Sequence, residues 1–178
     1  MSSILLEVSK GNHRWLAKNT FAKRVCALYL EAKTGADRAA LDFAIEHGYP
    51  HGGWNPRGRE AEDGTIPLKY QRTELVDGGY RQRNKHNVGD SNGTLVINTG
   101  ELDGGTLAIQ VFAQMQQKAY FLAQVDTHSL ESLALEIAEW LRIHNIRVLN
   151  VAGPRESKRP GIYAITRELL ELAYAVSK

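Results

Sequence analysis

The sequence contains almost no cysteine, since Cys26 is the single one among 178 residues. One thiol cannot form an internal disulfide, and disulfides belong to oxidising compartments, so we expect a reduced, cytoplasmic protein. Cys26 lies inside an apolar run, RVCALYL, and this position favours a buried, inert thiol over a nucleophile.

Long hydrophobic runs and strong charge are lacking as well. No segment approaches the roughly 18 apolar residues of a membrane span. The start, MSSILLEVSKGNHRW, has too short an apolar stretch for a signal peptide. The net charge of +2 is too small to indicate a nucleic-acid binder. We therefore expect neither a membrane nor a nucleic acid as partner.

Common catalytic and metal-binding motifs are missing too. The sequence has no G-x-S-x-G, no P-loop lysine motif, no clear G-x-G-x-x-G and no evident nucleophile–base pair. His47 and His51 have the spacing of helical metal ligands, but Gly48 and Pro50 break the helix between them. We predict no metal site and favour a non-catalytic binding protein over an enzyme.

Strand and helix patterns alternate along the chain. Apolar runs predict strands at residues 24–30, 93–99, 118–125 and 146–153. This alternation favours an α/β, Rossmann-like three-layer sandwich with a mostly parallel sheet and helices on both faces. We assign residues 24–178 to one such domain and residues 1–23 to an N-terminal extension. Ligands of these sheets bind outside the carboxyl ends of the strands. Three polar loops are expected there, namely residues 32–35 (the first loop), 98–106 (the second loop) and 153–161 (the third loop).

The first predicted helix has recognisable ends. Thr34 to Asp37 fits the capping pattern T-x-x-[DE], which predicts a helix start there. Gly48 follows the last apolar position and predicts the helix end.

The turn GELDGGT follows the second predicted strand. Gly104 and Gly105 would let backbone N–H groups approach a phosphate, and Thr106 would add a hydroxyl at a helix N-terminus. Glu101 and Asp103 would repel a phosphate but suit a ribose, a base, a pterin or a metal. The pattern alone leaves an anion site and a plain connection equally open.

Two further polar segments contain clustered cations. In GPRESKRPG, Arg155 could grip a phosphate, although the loop by itself is better explained as solvent-exposed. In the long irregular segment 49–77, Trp54 with Arg57 and Arg59 would form a lid that stacks on a flat heterocycle. A Trp54 that only fixes this segment on the core is a compatible alternative.

Four motifs occur together and in order. They are TGADRAALDFAIEHGYPHGGWNPRGREAEDGTIPLKY, NVGDSNGTLVI, GELDGGT and IRVLNVAGPRESKRPGIY. In these the chain resembles the molybdenum carrier family, a circularly permuted branch of the SLOG nucleotide-binding superfamily. That branch is related to lysine-decarboxylase-like, cytokinin-activating proteins. The resemblance extends from Thr34 to the C-terminus.

The resemblance implies a Rossmann-like homo-oligomer, a dimer or tetramer. It implies a phosphorylated small-molecule ligand, either molybdenum cofactor (molybdopterin) for storage or transfer, with molybdoenzymes as partners, or a nucleotide. The matching loop positions are Thr34, Gly35, Asp37, Arg38, Gly100, Glu101, Gly104, Gly105, Thr106, Gly153, Pro154, Arg155, Glu156 and Ser157. The long segment matches at Gly53, Trp54, Pro56, Gly58, Arg59, Glu62, Asp63 and Gly64.

The first loop departs from the family pattern. Relatives have a turn like S-G-G-Q-T-G, whereas this chain reads LEAKTG. Side chains at Glu31 and Ala32 would crowd a ligand, Glu31 would oppose an anion, and Lys33 would partly restore attraction. We expect the first loop to be the weakest part of the site, so that restoring glycine at 31 and 32 raises affinity for a phosphorylated ligand.

Two other functions remain open at this stage. Related SLOG proteins cleave a base from a nucleoside monophosphate, and Glu101 or Asp103 is the candidate to support the charged transition state of such a phosphoribohydrolase. Alternatively, the chain is a nucleotide sensor that signals through its oligomeric state.

Overall fold

The computed structural model describes residues 25–30, 34–55, 57–76 and 79–176. The predicted extension 1–23 lies outside these ranges, as do Pro56 and the residues 31–33 of the altered turn. The expectations about the extension and the turn therefore stay predictions.

The chain forms nine strands and five helices in its described part. The strands are β1 Ala27–Tyr29, β2 His51–Gly52, β3 Trp54–Asn55, β4 Glu60–Ala61, β5 Gly64–Thr65, β6 Thr73–Glu74, β7 Gly93–Asn98, β8 Ala119–Gln124 and β9 Val148–Ala152. The helices are α1 Ala36–Glu46, α2 Tyr80–Gly89, α3 Gly104–Met115, α4 Leu130–Ile143 and α5 Ile162–Val176.

Five strands form one sheet in the order β2-β1-β9-β7-β8, and every pairing in it is parallel. Leu95 and Ile97 point to the face covered by α1, α4 and α5. Val96, between them, packs with Phe112 of α3 and Val88 of α2 on the opposite face. This alternation buries β7 on both faces, as expected for a parallel sheet. The predicted α/β, Rossmann-like three-layer architecture is confirmed.

The strand order creates a crevice at one edge of the sheet. From β1 the chain runs through α1 to β2 on one side, and from β7 it runs through α3 to β8 on the other. Strand β9 lies between β1 and β7 and leads into α5. The carboxyl ends of these three strands, and the N-termini of three helices, therefore face the same crevice, which is where open α/β sheets bind ligands.

The N-cap predicted for α1 is wrong, whereas its predicted C-terminal end is confirmed. Gly35, with φ 69°, is the N-cap, and no side chain caps the helix. The Thr34 hydroxyl instead contacts Glu62 and the backbone of Glu156. Gly48 also has φ 69° and follows the C-cap residue, so the predicted helix end is confirmed.

Three other predictions are corrected. Cys26 is exposed rather than buried, because β1 begins one residue later, and Nε of Arg147 lies 3.1 Å from its sulfur. Helix α3 begins at Gly104, within the glycine-rich turn, because a helix needs no apolar residue in its first turn. The segment 49–77 is not irregular throughout, since it contains β2 to β6.

Candidate ligand-binding site

An open cavity of about 380 Å³ lies at the carboxyl ends of β7 and β9. It is lined by Tyr80, Gly105, Thr106, Ile109, Gly153, Pro154, Arg155, Ser157 and Lys158. The structure thus brings six of the sequence-predicted residues around one space, namely Gly105, Thr106, Gly153, Pro154, Arg155 and Ser157.

The N-terminus of α3 forms one wall of the cavity. Its N-cap residue, Asp103, has an extended backbone, and the Asp103 side chain does not cap the helix. The first N–H groups of α3, around Gly105 and Thr106, therefore keep the partial positive charge that attracts anions at a helix start. This is the geometry expected from GELDGGT if the turn binds an anion.

An ion pair connects the second and third loops. The Lys158 ammonium donates to the Asp103 carboxylate, and this hydrogen bond holds the pKa of Asp103 below its usual value. Arg159 lies 3.8 Å from the same carboxylate and donates through Nε to the carbonyl of Thr99 at 2.9 Å. Two of the three cations in GPRESKRPG are therefore engaged in holding the loops together.

Arg155 is the third cation and faces the cavity. It forms no ion pair with any residue in the described part of the chain. Its guanidinium lies 5.8 Å from the centroid of the Tyr80 ring, a cation–π distance. Arg155 is thus positioned beside the α3 N-terminus with its charge uncompensated by a described carboxylate.

Tyr80 provides the aromatic wall, which the sequence interpretation assigned to Trp54. Tyr80 is the first residue of α2, is 52% exposed, and has the Arg83 guanidinium 5.0 Å from its ring centroid. Asn84, one turn later, donates to the carbonyl of Gly105 at 3.3 Å and ties α2 to the α3 N-terminus. The sequence signal for Tyr80 is an aromatic residue after a glycine pair at the start of a polar helix.

Two of the three lid residues, Trp54 and Arg59, have anchoring contacts. The Trp54 indole donates to Asp90 at 2.7 Å and its ring lies 5.2 Å from that of His86. Arg59 donates to the carbonyls of Ile66, Pro67 and Tyr70, and so fixes the long segment internally. Arg57 is exposed. None of the three lid residues is among the described residues that line the cavity. The contacts of Trp54 and Arg59 favour the interpretation that the segment is fixed on the core.

The first loop lies directly against the third. A Cβ on Gly35 would come within 2.4 Å of the Pro154 carbonyl oxygen and 2.6 Å of the Glu156 nitrogen. Only glycine permits this approach, and only glycine readily adopts the positive φ. Arg38, in the first turn of α1, pairs with Asp63 through two hydrogen bonds of 2.9 and 3.2 Å. The Arg38 guanidinium is therefore directed at the long segment.

Two predicted carboxylates have separate environments. Glu156 accepts hydrogen bonds from the backbone N–H groups of Gly161, at 2.5 Å, and Tyr163, at 2.9 Å, and thereby caps α5. Glu101 is exposed, and within the described ranges only its backbone carbonyl has a hydrogen bond, from Arg159 at 3.5 Å.

Gly100 completes the second loop at the carboxyl end of β7. Its φ is 71°, its N–H donates to Asp126 at 3.0 Å, and its carbonyl accepts from Asn98 and Gln124. These contacts fix the backbone just before the α3 N-terminus.

The described ranges contain no group of three or more His, Cys, Asp or Glu side chains that could hold a metal ion. None of the helices in those ranges has the length and apolar character needed to cross a membrane.

A sequence model of the "Circularly permutated YpsA SLOG family" matches residues 32–174, most of the chain. The chain belongs to this family. The match covers the second and third loops, which line the cavity, and the first loop, which lies against the third, and the resemblance seen in the sequence is confirmed.

A solved structure similar to this chain is that of a "Putative molybdenum carrier protein" from Syntrophus aciditrophicus SB. It is 45% identical, with a TM-score of 0.83 over 84% of this chain and 95% of that chain. A search of curated proteins found no match.

Proposed function

We propose that this protein binds and carries a phosphorylated heterocycle, and that the ligand is molybdenum cofactor. The observation on which this depends is the convergence of Arg155, the α3 N-terminus and the Tyr80 ring on one cavity. The likeness to a protein described as a molybdenum carrier supports the same choice.

Each wall suits one part of such a ligand. The α3 N-terminus and the Arg155 guanidinium both favour an anion, and a guanidinium can bind two phosphate oxygens at once. Tyr80 offers a flat face for a pterin or base, and Ile109 an apolar contact. A cavity of about 380 Å³ lies within the range of small-molecule sites.

The other family positions have supporting roles in this proposal. Thr34, Gly35, Gly100, Gly104, Gly153 and Pro154 shape the loops, while Arg38 and Glu156 hold neighbouring elements in place. As a carrier in a reduced cytoplasm, the protein would store the cofactor or deliver it to molybdoenzymes, as a dimer or tetramer.

Retention of the cofactor tests the proposal. The protein is purified from a cofactor-producing host, oxidised, and assayed for pterin fluorescence. Arg155→Ala removes charge-assisted hydrogen bonds worth about 1.5–3 kcal/mol, so we expect about 10- to 100-fold weaker binding. Arg147→Ala is the matched control, because it removes the same charge from an exposed residue at the amino end of β9, opposite the cavity. A protein that retains no pterin, and binds none when it is added, contradicts the proposal.

The phosphoribohydrolase alternative is separated by a second assay on the same protein. A carrier leaves nucleoside monophosphates intact. Release of free base that disappears in Glu101→Gln would assign the site to an enzyme instead, since the Glu101 carboxylate lies beside the α3 N-terminus in sequence.

A further inference from the structure

A small hairpin, β4 and β5, places the Glu62 carboxylate against the first and third loops. Strands β4 and β5 pair antiparallel through Ala61 and Gly64, so Glu62 and Asp63 form the tip of a tight turn. The Glu62 carboxylate accepts hydrogen bonds from the Thr34 hydroxyl and from the Ser157 hydroxyl, the latter at 2.6 Å. The Ser157 N–H also donates to it, at 3.5 Å.

These three donors, which we call the donor cluster, suit an oxyanion of any kind. They are the Thr34 hydroxyl, the Ser157 hydroxyl and the Ser157 N–H. Hydroxyls and backbone N–H groups beside a helix start donate to phosphate oxygens as readily as they donate to carboxylate oxygens. Ser157 also lines the cavity, so a ligand in the cavity lies next to the donor cluster.

The neighbouring residue holds the hairpin tip in place. Asp63 pairs with Arg38, whose side chain is only 14% exposed and lies 5.2 Å from the Tyr70 ring centroid. Glu62 by contrast is exposed and has flexible side-chain torsions. Its carboxylate can therefore leave the donor cluster by side-chain rotation while Asp63 keeps the hairpin docked.

We propose that Glu62 is an intramolecular competitor that occupies an oxyanion subsite of the cavity. A phosphate oxygen of the ligand displaces the Glu62 carboxylate from Thr34 and Ser157, and Glu62 returns when the ligand leaves. This inference rests on the proposed function and adds a second anion contact to it, besides the α3 N-terminus and Arg155. Competition by the Glu62 carboxylate lowers the apparent affinity for the ligand and favours its release, which a carrier needs.

Titration of the full chain with inorganic phosphate and, separately, with adenosine monophosphate tests the competition by calorimetry. A competitor that occupies the donors nine-tenths of the time lowers apparent affinity about 10-fold. We therefore expect Glu62→Ala to bind both probes about 10-fold more tightly than the wild type, with Glu62→Gln in between. Glu60→Ala is the matched control, because it removes an equal charge from an exposed residue of the same hairpin.

A second substitution shows whether the probe uses the donor cluster. Adding Thr34→Val to Glu62→Ala should abolish most of the gain. The inference is overturned if Glu62→Ala binds the two probes no more tightly than the wild type, or if Glu60→Ala gains as much affinity as Glu62→Ala. It is also overturned if Glu62→Ala gains affinity for inorganic phosphate but not for adenosine monophosphate. A protein that still retains pterin in those cases keeps the proposed function. If no variant binds either probe and none retains pterin, both fall. Unfolding in urea checks that each variant is folded.

Discussion

At the scale of single residues, Gly35 and Gly48 form a natural comparison. Both have φ 69°, but a Cβ on Gly48 would meet nothing within 4 Å, whereas one on Gly35 would collide with the third loop. Alanine at either position costs about 1–2 kcal/mol for the left-handed backbone. We expect Gly35→Ala to cost clearly more than Gly48→Ala in urea unfolding, and to weaken ligand binding as well. Equal losses in the two variants would show that the first and third loops separate easily.

The two candidate aromatic residues make a second residue-scale test. Tyr80→Ala removes the ring beside Arg155, and stacking of a base on an aromatic ring is worth about 1–3 kcal/mol, so pterin affinity should fall about 10-fold. Trp54→Phe removes the hydrogen bond to Asp90 and should lower stability with little change in affinity. The opposite pattern, measured by pterin titration and urea unfolding, would restore Trp54 as the stacking residue.

The sequence could identify the residues of the site better than their partners. Glycines and cations between predicted strands are visible in the chain because they punctuate apolar runs. The sequence does not show which cation lacks a carboxylate partner, because Lys158 pairs with Asp103 in a loop 55 positions earlier. Tyr80 was missed for the same reason, since only tertiary packing brings the start of α2 to the cavity.

At the scale of elements, apolar runs and long periodic segments were predictable from the sequence, and two-residue strands were not. The four predicted strands were visible as continuous apolar runs, and the amphipathic helix α4 has enough residues to show a period of 3.6. Strands β2 to β6 have two residues each, too few to show any period. Their pairing depends on partners elsewhere, as when β2 joins β1.

The cap of α5 gives the element-scale prediction. Glu156 accepts from two backbone N–H groups at the start of the helix. Loss of a helix cap costs about 0.5–2 kcal/mol, so Glu156→Ala should lower the free energy of unfolding by that amount. Ser129→Ala is the control, because it removes the cap of α4 and Ser129 is not among the residues that line the cavity. If Glu156→Ala lost more ligand affinity than Arg155→Ala while keeping its stability, Glu156 would be a ligand contact rather than a cap.

At the scale of the whole molecule, the carboxylate of Asp42 connects α1, the long segment and α5, and makes stability depend on acid pH. Burial alone would raise the pKa of Asp42, but hydrogen bonds from Tyr70 and Tyr163 and the charge of Lys69 outweigh it and lower the pKa. A carboxylate whose pKa is lowered in the folded state stabilises the protein at pH values above its unfolded-state pKa. This stabilisation is lost as the pH falls through the folded-state pKa. We expect the urea midpoint to fall below about pH 4, and to fall less in Asp42→Asn, which starts from a lower stability.

Stability at alkaline pH depends on partly buried tyrosines in different parts of the fold. Burial raises the pKa of Tyr49, Tyr120 and Tyr163 to about 12. Because unfolded tyrosine titrates near 10, this stability is complete below about pH 10 and is lost as the pH rises towards 12. The Tyr120 hydroxyl is buried without a hydrogen-bond partner in the described ranges. Tyr120→Phe should therefore match the wild type at pH 7 and keep a higher urea midpoint at pH 11. Parallel decline of the two proteins between pH 9 and 11 would show that Tyr120 ionises freely in the folded state.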